Sequence, residues 1–281
     1  MLWARASTAG GCAALLARRF NLPFGVESFE PHADYMAESG AWKRNGLKDR
    51  VQRWLEARQV RKAEVIITVS EAYADVIRSR RKQQGKVFCI PCVVDFEGFQ
   101  RSVEMRDKLR TEWGIDQAAP LDVYLGKLGD IYYDKPFIQH IKRLLEQDML
   151  FQFLFITPNR AIIEKHMQDA RLDYNRVRIV SVRHKDVPGH LSAADLAFCP
   201  VKPSPSKRYC SPIKNGEYWW CGLPVIMTPG VGDEAENIRE EPILGILWNF
   251  DSEKVRRLKL DHKTPAFLSY STYNHWPMDF T

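Results

Sequence analysis

SPIKNGEYWWCGLPVIMTPGVGD, residues 211–233, decides how this chain is read. It divides into a loop, a helix, a tight stop, a buried strand and a second glycine-bearing loop. Ser211 is a good N-cap, and Pro212 suits the first helical position, where no N–H is needed. Gly222 stops the helix and Pro224 sits just past it. Leu223 to Met227 is a short apolar run, as expected of a parallel strand covered on both faces. Lys214 and Glu217 are three apart, so they share one helix face near its N-terminus. The dipole and N–H groups of such an end favour phosphate, the lysine adds full charge, and the carboxylate can accept from ribose hydroxyls.

Outward from this stretch, helix and strand alternate almost throughout, which predicts an α/β fold with parallel sheets. Helices are expected over residues 8–20, 46–63, 103–113, 135–147, 160–170 and 184–193, and from about 233. Strands are expected over 23–27, 64–69, 86–92, 121–125, 151–157, 176–182, 195–200 and 243–248. Ser70 caps the helix that follows the second of these strands.

Lys214-x-x-Glu217-Tyr218 followed by Cys221-Gly222-Leu223-Pro224-Val225 resembles the donor-site motif of retaining glycosyltransferases of family four. The resemblance implies the GT-B fold of two Rossmann-like domains. Members carry a pair of glutamates, of which Glu217 matches the second; the first falls at Tyr209, a departure at the contact to the donor hexose. Ser-Pro-x-Lys at 211–214 fits a branch found in polysaccharide assembly. Val93 to Arg101 resembles the family's hinge and divides the chain into an acceptor-side domain, 1–102, and a nucleotide-sugar-binding domain, 103–281. Only three clear strands precede the hinge, so the resemblance implies an N-terminally shortened member with an incomplete first domain.

Ligands of an open parallel sheet bind beyond the carboxyl ends of its strands. Gly126, Lys127 and Gly129 follow the strand at 121–125. The glycines let a diphosphate approach the backbone and Lys127 neutralises it, although a plain turn is the simpler reading. The matching family loop has a tyrosine soon after, here Tyr132 or Tyr133. The cationic run from Pro203 to Lys214, with Ser204, Ser206, Lys207 and Arg208, leads into a helix start. It reads as a phosphate site or as a solvated loop. Lys214 is the first candidate phosphate ligand, Lys207 the second, with Ser211 beside them. Glu217 is the candidate ribose ligand, or a surface residue paired with Lys214. Asp233 lies in a loop that resembles the one beside the donor, or is simply an N-cap. On the N-terminal side, Glu27, Glu30 and His32 follow a strand and are candidates for the acceptor side. His32 is the catalytic candidate there, against a structural or solvated histidine. The resemblance adds Arg5 to the same side.

The resemblance implies transfer of a sugar, with retention, from a nucleoside-diphosphate sugar to a glycan or lipid-linked acceptor hydroxyl. Lys214, Glu217 and His32 would carry the chemistry. No metal or cofactor is implied beyond the donor substrate, and the sequence has no DxD pair. A catalytically impaired nucleotide-sugar binder or partner subunit is the alternative, because the first domain is short and Tyr209 replaces a glutamate. A sugar-nucleotide epimerase of the same fold matches less well.

The 281 residues carry a net charge of +6 and contain no run of eighteen apolar residues that could cross a membrane. The charge is uneven. Residues 43–62 hold eight Lys and Arg against Asp49 and Glu56, and Arg78, Arg80, Arg81, Lys82 and Lys86 form a second cluster. These read either as solvated helix faces or as peripheral contacts with anionic lipid on the cytoplasmic side. No nucleic-acid-binding signature is present. The six cysteines are scattered, as in a reducing compartment, and Cys89-x-x-Cys92 ends a strand rather than opening a helix. The first twenty residues lack acids, but Gly10-Gly11 interrupts their apolar stretch, which favours a domain helix over a transit peptide.

Overall fold

The computed structural model describes residues 1–81 and 86–252. Lys82 of the second basic cluster and the C-terminal stretch SYSTYNHWPMDFT, 269–281, with its several aromatic residues, lie outside the described residues. The chain forms two compact units. The first comprises Met1–Val93 together with Pro203–Pro212 and Gly230–Glu236; the second holds Val94–Lys202, Ile213–Pro229 and the rest.

The first unit is built on four parallel strands, β1 (Leu2–Arg5), β2 (Phe24–Glu27), β3 (Val65–Thr68) and β4 (Lys86–Cys89), in that order across the sheet. β1 was not among the expected strands: its four residues have no turn signal before them, and only pairing with β2 defines it. β4 ends at Cys89, earlier than the apolar run, because Pro91 offers no N–H to a ladder. Helices α1 (Ser7–Phe20), α3 (Leu47–Lys62) and α4 (Glu71–Arg80) connect the strands. Each crosses between neighbouring parallel strands in one direction along the sheet, and the right-handedness general to such crossovers places all three on one face. α2 (His32–Glu38) is a further short helix that hydrophobic periodicity did not reveal.

Gly10 and Gly11 are the crossing point of α1 and α3. A Cβ at Gly10 would collide with the Gln59 amide and Val26, and one at Gly11 would meet Leu55 Cβ at 2.5 Å. Only glycine lets the helices approach this closely. The pair that breaks the apolar stretch in the sequence is therefore a packing device. Ala4, Ala13, Ala17, Phe24, Val26 and Ile66 fill the space between these helices and the sheet.

The second unit has six parallel strands, in the order β10-β9-β8-β5-β6-β7. They are β5 (Leu121–Leu125), β6 (Gln152–Ile156), β7 (Val177–Val180), β8 (Leu196–Cys199), β9 (Val225–Met227) and β10 (Gly245–Leu247). Helices α5 (Val103–Glu112), α6 (Lys135–Gln147), α7 (Arg160–Ala170), α8 (Val187–Ser192) and α9 (Ile213–Trp220) accompany them, and α10 (Glu234–Glu240) starts in the 230–236 segment of the first unit and ends in the second. α6 buries Phe137, Ile138, Ile141, Leu144 and Leu145, a helical spacing that lays one face on the sheet. Phe153, Phe155, Phe198 and Phe250 pack against that face in tilted and edge-on pairs. The sheet grows from β5 through β6 to β7, then reverses to place β8 on the other side of β5. That reversal is a topological switch point, where an open α/β sheet leaves a crevice beyond its strand ends.

Candidate functional site

The switch point brings together the loop after β5 and the start of α9. α9 is pinned to both strands: the Tyr218 hydroxyl accepts from Leu125 N–H at 2.8 Å and donates to the Phe198 carbonyl at 3.2 Å. The Trp219 indole N–H donates to the Leu244 carbonyl at 2.9 Å. These bonds fix Lys214, in the first turn of α9, under the β5 loop.

Lys214 is buried. Its Nζ stands 3.8 Å from the ring centre of Tyr132 and 4.6 Å from that of Tyr124, and it reaches Tyr124 Oη only at 3.5 Å. Among the described residues, two ring faces and a phenol hold the ammonium, rather than a carboxylate. Gly126, at a φ of +124°, makes room for it; a Cβ there would come within 3.1 Å of Nζ. Burial lowers the Lys214 pKa from its usual 10.5 to about 8, while Cys199 and Glu217 act in the opposite direction. A cation at a helix start is a group to which an anion can bind.

Glu217 is buried, not a surface partner of Lys214, and it bonds His184 Nε2 at 3.1 Å. His184 opens the turn just past β7 and lies 5.2 Å from the Phe99 ring. Nothing in the sequence reading singled it out. Its place after a strand end was the available signal. Tyr132 is the member of the tyrosine pair that faces Lys214, whereas Tyr133 donates to Asp251 at 2.6 Å and packs on Phe250. Lys127 is exposed and pairs with Asp130 at 2.8 Å. Gly129 and Asp130 turn the loop with φ of +85° and +54°.

The remaining candidates lie in the first unit. Lys207 is buried, paired with Glu30 at 3.2 Å and stacked 3.9 Å over the Tyr35 ring. Ser204 Oγ and Ser206 N–H both donate to Glu38. The cationic loop is thus tied down by carboxylates rather than freely solvated. α9 begins at Ile213, and the Ser211 hydroxyl accepts from Cys92 N–H and donates to Glu234. The Asp233 carboxylate accepts from Glu71 and Ala72 N–H at the start of α4. Tyr209 packs on Tyr73 at 5.3 Å, and its carbonyl accepts from Ser70. Glu27 holds the Trp3 indole N–H and the exposed Arg5. His32 opens α2, with its ring edge-on to Trp42 at 5.5 Å. Among the described residues, no group of three or more His, Cys, Asp and Glu side chains is placed to hold a metal ion.

The Ser211–Glu234 contact carries a pH expectation. Burial raises the Glu234 carboxyl from 4.5 to about 7, and the bond from Ser211 only partly offsets this. Between those values the folded chain holds a proton that the unfolded chain has released, so stability falls as pH rises through the window. Glu234→Gln is expected to remove that fall, on the order of 2–3 kcal/mol. The readout is the difference between urea midpoints at pH 5 and pH 8. An unchanged difference in the variant would mean that the carboxyl is already ionised in the folded chain.

No family model and no curated protein matches the sequence. Solved structures do. A sucrose-phosphate synthase from Thermosynechococcus elongatus superposes with a TM-score of 0.67 at 20% identity, over 87% of this chain and 59% of that one. Anabaena HepE, solved in complex with UDP, gives 0.62 at 17% identity, over 88% and 64%. A putative UDP-N-acetylglucosamine 2-epimerase from Listeria monocytogenes gives 0.52 at 12% identity, over 84% and 59%. The chain therefore has the GT-B architecture of two Rossmann-like α/β domains with parallel sheets. The likeness extends to several kinds of GT-B protein and is not specific to family four. The chain spans about three-fifths of the length of these solved chains.

Proposed function

We propose that this chain is a retaining glycosyltransferase of the family-four type. It moves a sugar from a nucleoside-diphosphate sugar to a glycan or lipid-linked acceptor hydroxyl in polysaccharide or lipopolysaccharide assembly. The observation that carries this reading is the buried Lys214 ammonium, held by tyrosine rings beside Gly126 at the switch point. The diphosphate of the donor occupies that anion site, with Gly126, Lys127 and Gly129 following its phosphates and Glu217 accepting from a donor hydroxyl. The UDP of the Anabaena structure is a ligand of this class. The acceptor oxygen bonds to the anomeric carbon on the same face from which the diphosphate oxygen departs, as retention requires, and the acceptor's hydroxyl proton passes to that departing diphosphate oxygen. Lys214 and the N–H groups near it stabilise the charge that develops on the departing diphosphate, which is preorganised electrostatic catalysis. In this reading they take the part that a metal ion plays elsewhere. Lys207, Ser211 and Asp233 shape the first unit, and His32 and Glu27 serve the acceptor side. A cytoplasmic site of action belongs to the same reading.

Thermal unfolding of the purified chain with UDP, GDP, ADP and CMP tests the donor site. A nucleotide at 100 times its Kd stabilises by about 2.7 kcal/mol, or about 5–10 °C. One nucleotide is expected to shift the wild type while leaving Lys214→Ala and Glu217→Ala unmoved. No shift in a well-folded chain would sink the donor site.

Tyr209 favours a second reading, a nucleotide-sugar binder without turnover. It stands where a donor-contacting glutamate would be and is committed to packing on Tyr73. Under the first reading, His32→Ala binds nucleotide but loses turnover. Under the second there is no turnover to lose.

A further inference from the structure

α9 carries two buried charges that do not meet. Lys214 and Glu217 stand three apart on one helix face, the spacing of an ordinary surface ion pair. Among the described residues they form no such pair. The Lys214 ammonium stands against the rings of Tyr132 and Tyr124, and the Glu217 carboxylate bonds His184. A buried carboxylate costs stability unless donors reach it. Here the donor among the described residues is an imidazole on another element, 33 residues away in the chain.

The two partners differ in exposure. The Glu217 side chain is 7% exposed and the His184 side chain 74%. The imidazole is therefore not placed by burial; it reaches the carboxylate from the solvent side. Nε2 lies 3.1 Å from Oε1. An ionised carboxylate can only accept, so Nε2 carries the hydrogen. That bond occupies one oxygen and leaves Oε2 for a hydroxyl arriving from outside.

The turn that carries His184 is itself held. It follows β7, whose last carbonyl, that of Val180, accepts from Thr157 N–H at 2.9 Å. Arg183 Nε donates to the Asp186 carboxylate, Asp186 N–H to the Arg183 carbonyl and His190 Nδ1 to the Asp186 carbonyl, each at 2.8 Å. The Phe99 ring packs on the imidazole at 5.2 Å. An exposed ring on so bonded a turn is anchored, and none of these contacts engages Nε2.

We propose that His184 is a positioning residue: through Nε2 it fixes the Glu217 carboxylate so that Oε2 reads a ribose hydroxyl, and the pair makes the site select ribonucleotides over deoxyribonucleotides. This rests on the donor-site reading, in which Glu217 accepts from a donor hydroxyl. Without the imidazole, no described residue donates to Glu217. The carboxylate then turns toward water or toward Lys214, and either movement takes the acceptor away from the hydroxyl. With the imidazole in place, a sugar that lacks the hydroxyl leaves a desolvated acceptor unpaired, which is a strong basis for rejection. Selection of the sugar thus belongs to His184 and Glu217, while affinity for the diphosphate belongs to Lys214.

The test is calorimetric titration of the full chain with UDP, GDP and ADP, each beside its 2′-deoxy and 3′-deoxy forms. For the base that binds, the wild type is expected to prefer the ribonucleotide to at least one deoxy form by about tenfold. His184→Phe keeps a ring against Phe99 but removes the N–H. It should lose about tenfold on the ribonucleotide and nothing on that deoxy form, so the preference disappears. His184→Gln sets an amide N–H near the place of Nε2 and should restore most of the preference. In a Glu217→Gln background, His184→Phe should cost nothing further. If the phenylalanine variant does not fold, His184→Asn, whose amide is too short to reach Glu217, takes its place. If no nucleotide binds the wild type, the donor-site reading fails and this inference falls with it. If nucleotide binds, Lys214→Ala abolishes binding and His184→Phe keeps the full ribose preference, the donor site stands and the role of His184 alone is overturned. Equal losses on the ribo and deoxy forms also overturn it, because they mark a general packing effect.

Discussion

Asp195→Asn is expected to cost about 3–5 kcal/mol of stability. Asp195 accepts from Arg106 at 2.7 Å, from Arg110 at 2.8 Å and from Leu121 N–H at 2.9 Å. Arg110 has no solvent exposure. Its guanidinium also donates to the carbonyls of Ala193 and Ala119, each at 2.8 Å, and to those of Asp116 and Gln117. Carbonyl oxygens satisfy its hydrogens, but only Asp195 supplies a full negative charge. Burial pulls the Arg110 pKa down, and the Asp195 charge opposes this. Asparagine keeps the shape and removes that charge, leaving a buried cation without compensation. It also turns an N–H₂ toward donors or leaves it unpaired. Arg106→Ala should cost less, because the Arg106 side chain is partly solvated and its loss leaves Asp195 paired with Arg110. Urea denaturation followed by tryptophan fluorescence measures both. A loss below about 1 kcal/mol in Asp195→Asn would mean that Arg110 is hydrated or that its carbonyl cage suffices.

Lys214→Met is expected to lower turnover by about 10²–10³, the range for removing one preorganised donor from a developing oxyanion. The pH dependence separates a charge effect from a packing effect. In the free protein burial lowers the Lys214 pKa to about 8, and a diphosphate bound beside it would raise that value. Binding therefore takes up a proton above pH 8, and affinity should fall by up to tenfold per pH unit there. Calorimetry at pH 8.5 in two buffers of different ionisation enthalpy reads the proton directly. Stability without ligand runs the other way. Between about 8 and 10.5 the unfolded chain holds a proton on this lysine that the folded chain has lost, so stability rises with pH across the window. Lys214→Met should abolish both slopes. Persistence of the binding slope in the variant would move the titrating group elsewhere and remove Lys214 from the anion site.

What the sequence makes legible depends on the range of the interactions involved. The second-unit strands β5 to β9 were legible because strands covered on both faces are unbroken apolar runs with turn residues between them. Lys214, Glu217 and Gly126 were legible because local signals set their places: a helix start, a strand end, a glycine. What the sequence concealed depends on partners far along the chain. Leu2 to Arg5 become a strand only beside Phe24 to Glu27. Lys207 looks like a free cation until Glu30 is set against it. Glu217 looks solvated until His184 and the fold around α9 bury it. The inward turn of Asp49 and Glu56 was equally hidden; charge totals over residues 43–62 count both acids, while the outer face of α3 carries neither. The Arg110–Asp195 network left no sequence trace, because a buried arginine in a helix pattern is indistinguishable from a solvated one.

The division of the chain into units bears on how it is made. The polypeptide leaves the first unit after Val93, returns to it at 203–212, and returns again at 230–236. The later visits supply Lys207 to Glu30, Tyr209 to Tyr73, and the Asp233 carboxylate to the start of α4. A ribosome that has released the first four strands has not yet produced the groups that neutralise Glu30 and accept from the first two N–H groups of α4. At ~5–20 residues/s, on the order of ten seconds separate the emergence of β4 from that of Asp233. During that interval the nascent first half carries Glu30 without Lys207, and the N–H groups of Glu71 and Ala72 without Asp233, although Ser70 already caps Tyr73 N–H. It reaches its final state only when the second half is nearly complete, so the order of synthesis and the order of folding do not coincide in this chain.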